Sequence, residues 1–288
     1  MRTGGEMITA AIPKRVANVI IGRKLAELRV ACRMSQAEAG KILDCTQNKI
    51  GNIERGDSGV TLPDLKALFE GYGADEPTRE RLLRLARSRE KRASRTALRA
   101  SFEGTMREVV DLETSAHRLW QHNSMTIPGL LQTEPYMHSL FRAARPSMSA
   151  DQIEVAIALR LRRQAILDNL DQRFWFVIDQ AALERMANMN GSSTIQRDQR
   201  KVLAEAIDRP NVEVQVVPWS VGYYFGQAFT YTIFGYDSDP RVELVHMEGL
   251  KDGYVTSNQE EVTDYLTVWE HQRAAALGPE QSRDVLRV

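Results

Sequence analysis

Residues 35–56 read SQAEAGKILDCTQNKIGNIERG. Ser35 followed three positions later by Glu38 is a capping-box pattern, and it opens a helix that the apolar positions carry to about Leu43. Thr46 suits the cap of a second helix, which runs to about Arg55 and stops at Gly56. Only Asp44 and Cys45 separate the two, so the spacing predicts a helix-turn-helix. Ala39, Ile42 and Leu43 line the first helix and Ile50 and Ile53 the second, with Leu25, Leu28, Leu62, Leu65 and Leu68 available to cover them.

Fixing the apolar side also fixes the other one. The start and outer face of the second helix present Thr46, Gln47, Asn48, Lys49 and Asn52. An amide side chain pairs with both N6 and N7 of adenine, and a lysine donates to guanine or to a phosphate. The N-terminal end of a recognition helix enters the major groove, which is where Gln47 and Asn48 stand. Gln36 begins the preceding helix, where free backbone N–H groups attract a phosphate. Arg55 ends the second helix, and both a DNA contact and a plain dipole or ion-pair role stay open for it. Solvation of a helix exterior would account for the same amides and lysine in isolation; the helix in front of them favours base reading.

The run from Leu25, LAELRVACRMSQAEAGKILDCTQNKIGNIERG, resembles the XRE (Cro/C1-type) family of helix-turn-helix domains. Its Leu-x-x-Leu-Arg opening, Ser-Gln helix start and Ile-x-x-Ile-Glu-Arg-Gly close carry the likeness, which covers about residues 18–73. The resemblance implies binding to double-stranded DNA through Gln36, Thr46, Gln47, Asn48, Lys49, Asn52 and Arg55. The sequence departs from the family at Ala39–Gly40, where a Leu-Ala pair is usual, and at Gly51, where serine is common. Gly40 is expected to loosen its helix.

Charge supports the same division. Residues 1–99 hold 20 Lys and Arg against 12 Asp and Glu, whereas the other 189 residues hold 18 against 26. A basic third fits a polyanion-binding module, and the acidic remainder fits something else. Segment 79–99, with nine Lys and Arg and two Glu, reads as a basic helix, either solvated or touching phosphates. The expected domains are 15–75 for the helix-turn-helix, 76–100 for a basic helical linker and 101–280 for a regulatory or partner-binding domain.

The 101–280 region alternates helical patterns (104–122, 133–143, 149–169, 179–189, 193–208) with β-like runs. The runs are RFWFVI (173–178), VEVQVVP (212–218), FTYTIF (229–234), VELVHM (242–247) and GYVTS (253–257), and a final helix spans 259–277. The fold class expected is an all-α helix-turn-helix domain followed by an α+β domain whose sheet is mostly antiparallel with about five strands. No stretch approaches the ~18–20 apolar residues of a membrane helix, and the two cysteines, Cys32 and Cys45, suit a reducing compartment, so a cytoplasmic protein without membrane contact is expected.

The chemistry-bearing motifs of enzymes are missing. The five histidines form no His-Glu-x-x-His pair, and no P-loop, Gly-x-Ser-x-Gly or Gly-x-Gly-x-x-Gly occurs. Gly191-Ser192-Ser193-Thr194 reads as a helix-linking turn. An enzyme is disfavoured and no cofactor or metal is expected. The stretch PWSVGYYFGQAF (218–229) is punctuated by glycine and rich in aromatics, as a lid or docking loop would be. Trp219, Tyr223, Tyr224 and Phe225 from it, with Tyr136 from IPGLLQTEPY (127–136), are the effector- or partner-binding candidates. Pro128-Gly129 suits a type II turn and Thr133 a helix cap.

TIPGLLQTEPYM, LRLRRQAILD, WFVIDQAAL, NVEVQVVPWSVG and LVHMEGL resemble, in order, the pattern of actinobacterial two-domain regulators of the WhiJ, antitoxin-like type. Those carry an XRE-type head and a C-terminal domain of unassigned function. Gln180 stands where that family usually has glutamate. The resemblance implies a transcription regulator that forms a homodimer and pairs with a small protein from a neighbouring gene, or responds to an unidentified small-molecule effector. An alternative is an antitoxin-like protein acting mainly by binding that small partner, with DNA binding for autoregulation.

Overall fold

The computed structural model describes residues 12–91, 104–187, 193–249 and 253–287. The chain divides into two compact units, one of residues 1–96 with Tyr236–Glu243 and one of 97–235 with 244–288.

In the first unit, α1 (Lys14–Ala31), α2 (Gln36–Ile42), α3 (Gln47–Arg55), α4 (Leu62–Tyr72) and α5 (Glu76–Lys91) enclose one apolar core. Ile21, Leu25, Ala39, Ile50, Ile53, Leu65, Leu68 and Phe69 fill it, with Leu28, Ile42, Leu43 and Leu62 at its edge. Ser35 caps α2 as a full capping box: its Oγ accepts from the Glu38 N–H at 3.2 Å, and the Glu38 carboxylate accepts from the Ser35 N–H at 2.8 Å. These hydrogen bonds hold the Glu38 carboxyl below its usual range. Thr46 caps α3 and Thr61 caps α4, each accepting an N–H three residues on.

Gly40 has a packing role at the turn that follows α2. A Cβ there would stand 2.6 Å from the Cys45 carbonyl oxygen, while the Cys45 N–H donates to the Gly40 carbonyl at 2.9 Å. The missing side chain lets the turn fold tightly against the helix. Gly22 plays the same part between α1 and α3, where a Cβ would meet the Ile53 carbonyl oxygen at 2.1 Å. The segment read as a basic linker begins as α5, whose Leu82 and Ala86 are fully buried in the same core. Its later part, 92–100, lies outside the described residues.

The second unit is α+β, with a six-stranded sheet where about five strands were expected. The strands are β1 (Arg118–Asn123), β2 (Arg173–Asp179), β3 (Val212–Val217), β4 (Tyr231–Tyr236), β5 (Val242–Met247) and β6 (Tyr254–Thr256), in the order β3-β2-β1-β4-β5-β6. The sheet is mixed, with parallel pairing confined to one side of it. β3, β2 and β1 pair in parallel, β1–β4 and β5–β6 antiparallel. Parallel neighbours need crossovers, and the chain supplies them as helix pairs. α7 (Glu134–Ala144) and α8 (Ala150–Gln164) lie between β1 and β2; α9 (Gln180–Ala187) and α10 (Ser193–Ile207) lie between β2 and β3.

The helix expected over 104–122 is α6 (Gly104–Ser115) followed by β1, which breaks it. The final helix expected over 259–277 is α11 (Gln259–Ala275), and a further helix, α12 (Pro279–Arg287), follows it. One sheet face carries Trp120, Trp175, Val177, Tyr231 and Ile233, and Val262, Val268 and Trp269 of α11 complete that core.

Candidate functional site

The geometry of α3 follows from its residue order. Ile50, Ile53 and Glu54 are buried, whereas Thr46, Gln47, Asn48, Lys49, Asn52 and Arg55 are exposed. The polar end of the helix therefore stands free of the core, with unspent donors and acceptors on Gln47 and Asn48. The Lys49 ammonium lies 3.8 Å from the Asp64 carboxylate, a loose pair that leaves its other protons available. Arg55 donates to the Asp57 carboxylate at 2.9 Å and to the Asn52 side-chain oxygen. It thereby orients Asn52, whose NH2 remains free to donate.

Gln36 is placed differently from its neighbours. Its Nε2 donates to the Glu54 carboxylate at 2.7 Å, so it braces α2 against α3 and is half-buried. Glu54 is also gripped by Arg29 of α1, through Nε–Oε1 at 2.6 Å and Nη2–Oε2 at 2.9 Å, and Arg29 Nη1 donates to the Met34 carbonyl at 2.7 Å. The bond to Glu54 raises the Arg29 pKa above its ordinary value. This pair went unassigned in the sequence, although one signal was there. Glu54 follows Ile50 by four residues and so falls on the inner face, where a carboxylate needs a buried cation.

In the second unit the loop 218–229 is fastened from within. The buried Tyr224 hydroxyl donates to Asp179 Oδ2 at 2.8 Å and lies 3.1 Å from His122 Nε2. His122 Nδ1 faces the Phe229 carbonyl at 2.6 Å, which assigns the proton to Nδ1. Burial drives the His122 pKa down to about 4 and pushes the Tyr224 hydroxyl up, with Asp179 adding to the latter. Gln272 Nε2 donates to the Gly226 carbonyl at 2.9 Å. Gln180 accepts the Trp219 N–H through its side-chain oxygen at 3.0 Å, so an uncharged amide does the positioning there.

With those anchors inside, four rings remain outside: Trp219 is 57% exposed, Tyr223 84%, Phe225 56% and Phe229 54%. Of the effector candidates, Trp219, Tyr223 and Phe225 share this surface, and Tyr224 is its root. Tyr136 is elsewhere and buried, its hydroxyl accepting from the Ile127 N–H at 3.2 Å. Thr133 caps its helix as expected. Gly129 opens a 3-10 turn (Gly129–Leu131) instead of taking the left-handed position of a type II turn. Gln132, Gln164 and Gln199 satisfy the backbone of this inward-lying loop, for example Gln199 Nε2 to the Leu131 carbonyl at 2.6 Å.

Among the described residues no group of three His, Cys, Asp or Glu side chains could hold a metal ion, and no helix is long and apolar enough to cross a membrane.

The capped helix pair and its exposed amides define the class of the first unit, and residues 20–82 match the family described as a helix-turn-helix domain, here of the XRE type. Residues 106–288 match the family described as "Domain of unknown function (DUF5753)", and the chain belongs to that family. No curated protein and no solved structure matches the chain.

Proposed function

We propose that this protein is a sequence-specific transcriptional regulator in which α3 is the recognition helix. The observation that carries the reading is the separation of faces on α3: Ile50, Ile53 and Glu54 inward, Thr46, Gln47, Asn48, Lys49 and Asn52 outward. Gln47 and Asn48 read base edges from the N-terminal end, Lys49 meets a phosphate or a guanine, and Asn52 donates from its NH2. Arg55 and Gln36 position these groups through Asn52 and Glu54. One head spans few base pairs, so useful specificity calls for a homodimer on two half-sites about 34–36 Å apart.

Gel shift and footprinting on DNA upstream of the protein's own gene provide the test. Gln47→Ala and Asn48→Ala should each cost about 1–3 kcal/mol of binding, with sequence discrimination relaxed at the contacted bases. A double variant that binds with the same affinity and footprint would refute the assignment.

A second reading is favoured by the exposed rings of loop 218–229. Four large aromatic side chains on a loop pinned by buried hydrogen bonds suit docking of another protein, for which aromatic anchors are the usual hot spots. In this reading the protein is antitoxin-like, binds a small protein encoded nearby, and uses DNA binding for autoregulation. Co-purification with the neighbouring gene product, lost on Tyr223→Ala and Phe225→Ala, would support it; unaltered co-purification of that variant would remove the loop from the account.

A further inference from the structure

A recess of about 340 Å³ lies between α10 and α12, away from loop 218–229. Arg197, Arg200, Lys201 and Arg287 line it over a floor of Ala204 and Leu286. Positions 197, 200, 201 and 204 share one face of α10 because three- and four-residue steps return to the same side of a helix. No carboxylate is among the lining residues that the structure describes. The concentration runs against its surroundings, since residues 100–288 carry 18 Lys and Arg against 26 Asp and Glu.

The existing partners of these cations leave room for another anion. Arg197 meets Asp198 at 3.1 Å and Lys201 meets Glu205 at 3.8 Å, both at the exposed surface, where such pairs are weak. Arg200 is fixed by donating from Nη1 to the Val285 carbonyl at 2.7 Å. Ser193 of the first turn of α10 also lines the recess, which places the positive end of a fifteen-residue helix dipole at the same opening.

We propose that this recess binds a small organic phosphate of mononucleotide size. Its volume sits at the lower end of ligand sites, about 300–1,000 Å³, and the combination of cations with an apolar floor fits a phosphate monoester carrying a ring or short carbon chain. The proposal does not depend on the DNA-binding reading, because binding to the full chain is measured directly.

The experiment is calorimetric titration of the full-length protein with adenosine monophosphate, inorganic phosphate and adenosine. Saturable binding of the monophosphate with a Kd of about 1 mM or tighter is expected, with weaker binding of inorganic phosphate and none of adenosine. Lys201→Ala with Arg287→Ala, both exposed, should weaken monophosphate binding at least about tenfold while the ligand-free thermal melt stays unchanged. No saturable binding of the monophosphate, equal binding of adenosine, or undiminished binding by the double variant would each overturn the proposal. So would a double variant that loses affinity and salt dependence for random duplex DNA when the monophosphate does not bind, because the phosphate recognised would then be that of the DNA backbone.

Discussion

Replacing Arg29 with methionine tests whether a buried ion pair holds the recognition helix in place. The two side chains are only 13% and 7% exposed, so solvent screens them little. The substitution removes two hydrogen bonds from Glu54 and one from the Met34 carbonyl, and leaves Gln36 as the remaining partner of the carboxylate. Breaking one side of a buried pair costs about 3–5 kcal/mol, and the retained Gln36 bond places this case at the lower end, about 3 kcal/mol. That corresponds to roughly a hundredfold loss in the folded-to-unfolded ratio of the first unit.

The readout must be local. Trp120, Trp175, Trp219 and Trp269 all belong to the second unit, so tryptophan fluorescence is blind to the change. Hydrogen exchange at the Ile50 and Ile53 amides reports α3 directly, and its protection should fall by about two orders of magnitude. Adding Glu54→Leu, which removes the stranded charge, should restore at least half of that loss. A fall of less than about tenfold in Arg29→Met, or a double variant no better than the single one, would refute the reasoning.

His122 makes acid stability predictable in sign. Its folded pKa is pushed down to about 4 against an ordinary 6.5, so between those values the unfolded chain takes up the proton first and stability falls as pH drops through the window. The loss reaches about 3 kcal/mol, His246 adds a contribution of the same sign, and denaturant melts of His122→Gln should show a visibly shallower pH dependence. Gly22→Ala should cost the first unit about 3 kcal/mol or more, the top of the overpacking range, because backbone meets the new Cβ; amide exchange in α1 and α3 would show it, and unchanged protection would contradict the close approach. Tyr224→Phe should destabilise the second unit by about 1.5–3 kcal/mol and make loop 218–229 easier to cleave by protease, since Asp179 loses a buried donor; a thermal melt shifted by less than a degree would count against the latch.

The first unit was legible because its signals are local. Ser35, Glu38, Thr46 and Gly56 mark helix ends within four residues of the atoms they bond, and the leucines and isoleucines repeat at helical spacing. β1 was not legible: Gln121, His122 and Asn123 are buried polar residues, and His122 finds its partners in the distant Tyr224 and Phe229, so RLWQHN lacks an apolar alternation. Strand order is equally non-local, so the parallel pairing of β1, β2 and β3 has no local signal. α12 buries only Ser282 and Leu286 and looks like a polar tail. The aromatic loop could be picked out by its glycines, yet nothing local separates Tyr224, which points in, from Tyr223, which points out. The Arg29–Glu54 pair was half visible through the spacing of Glu54 from Ile50.

The two faces of α3 have a consequence for how such a protein can acquire new targets. The letters that keep the helix folded, Ile50, Ile53 and Glu54, are interleaved with the outward letters Gln47, Asn48, Lys49 and Asn52, but the first set is buried and the second exposed. Under the recognition-helix reading, an operator preference can be rewritten at those four positions with little loss of stability. Sequence preference becomes a replaceable part mounted on a fixed chassis.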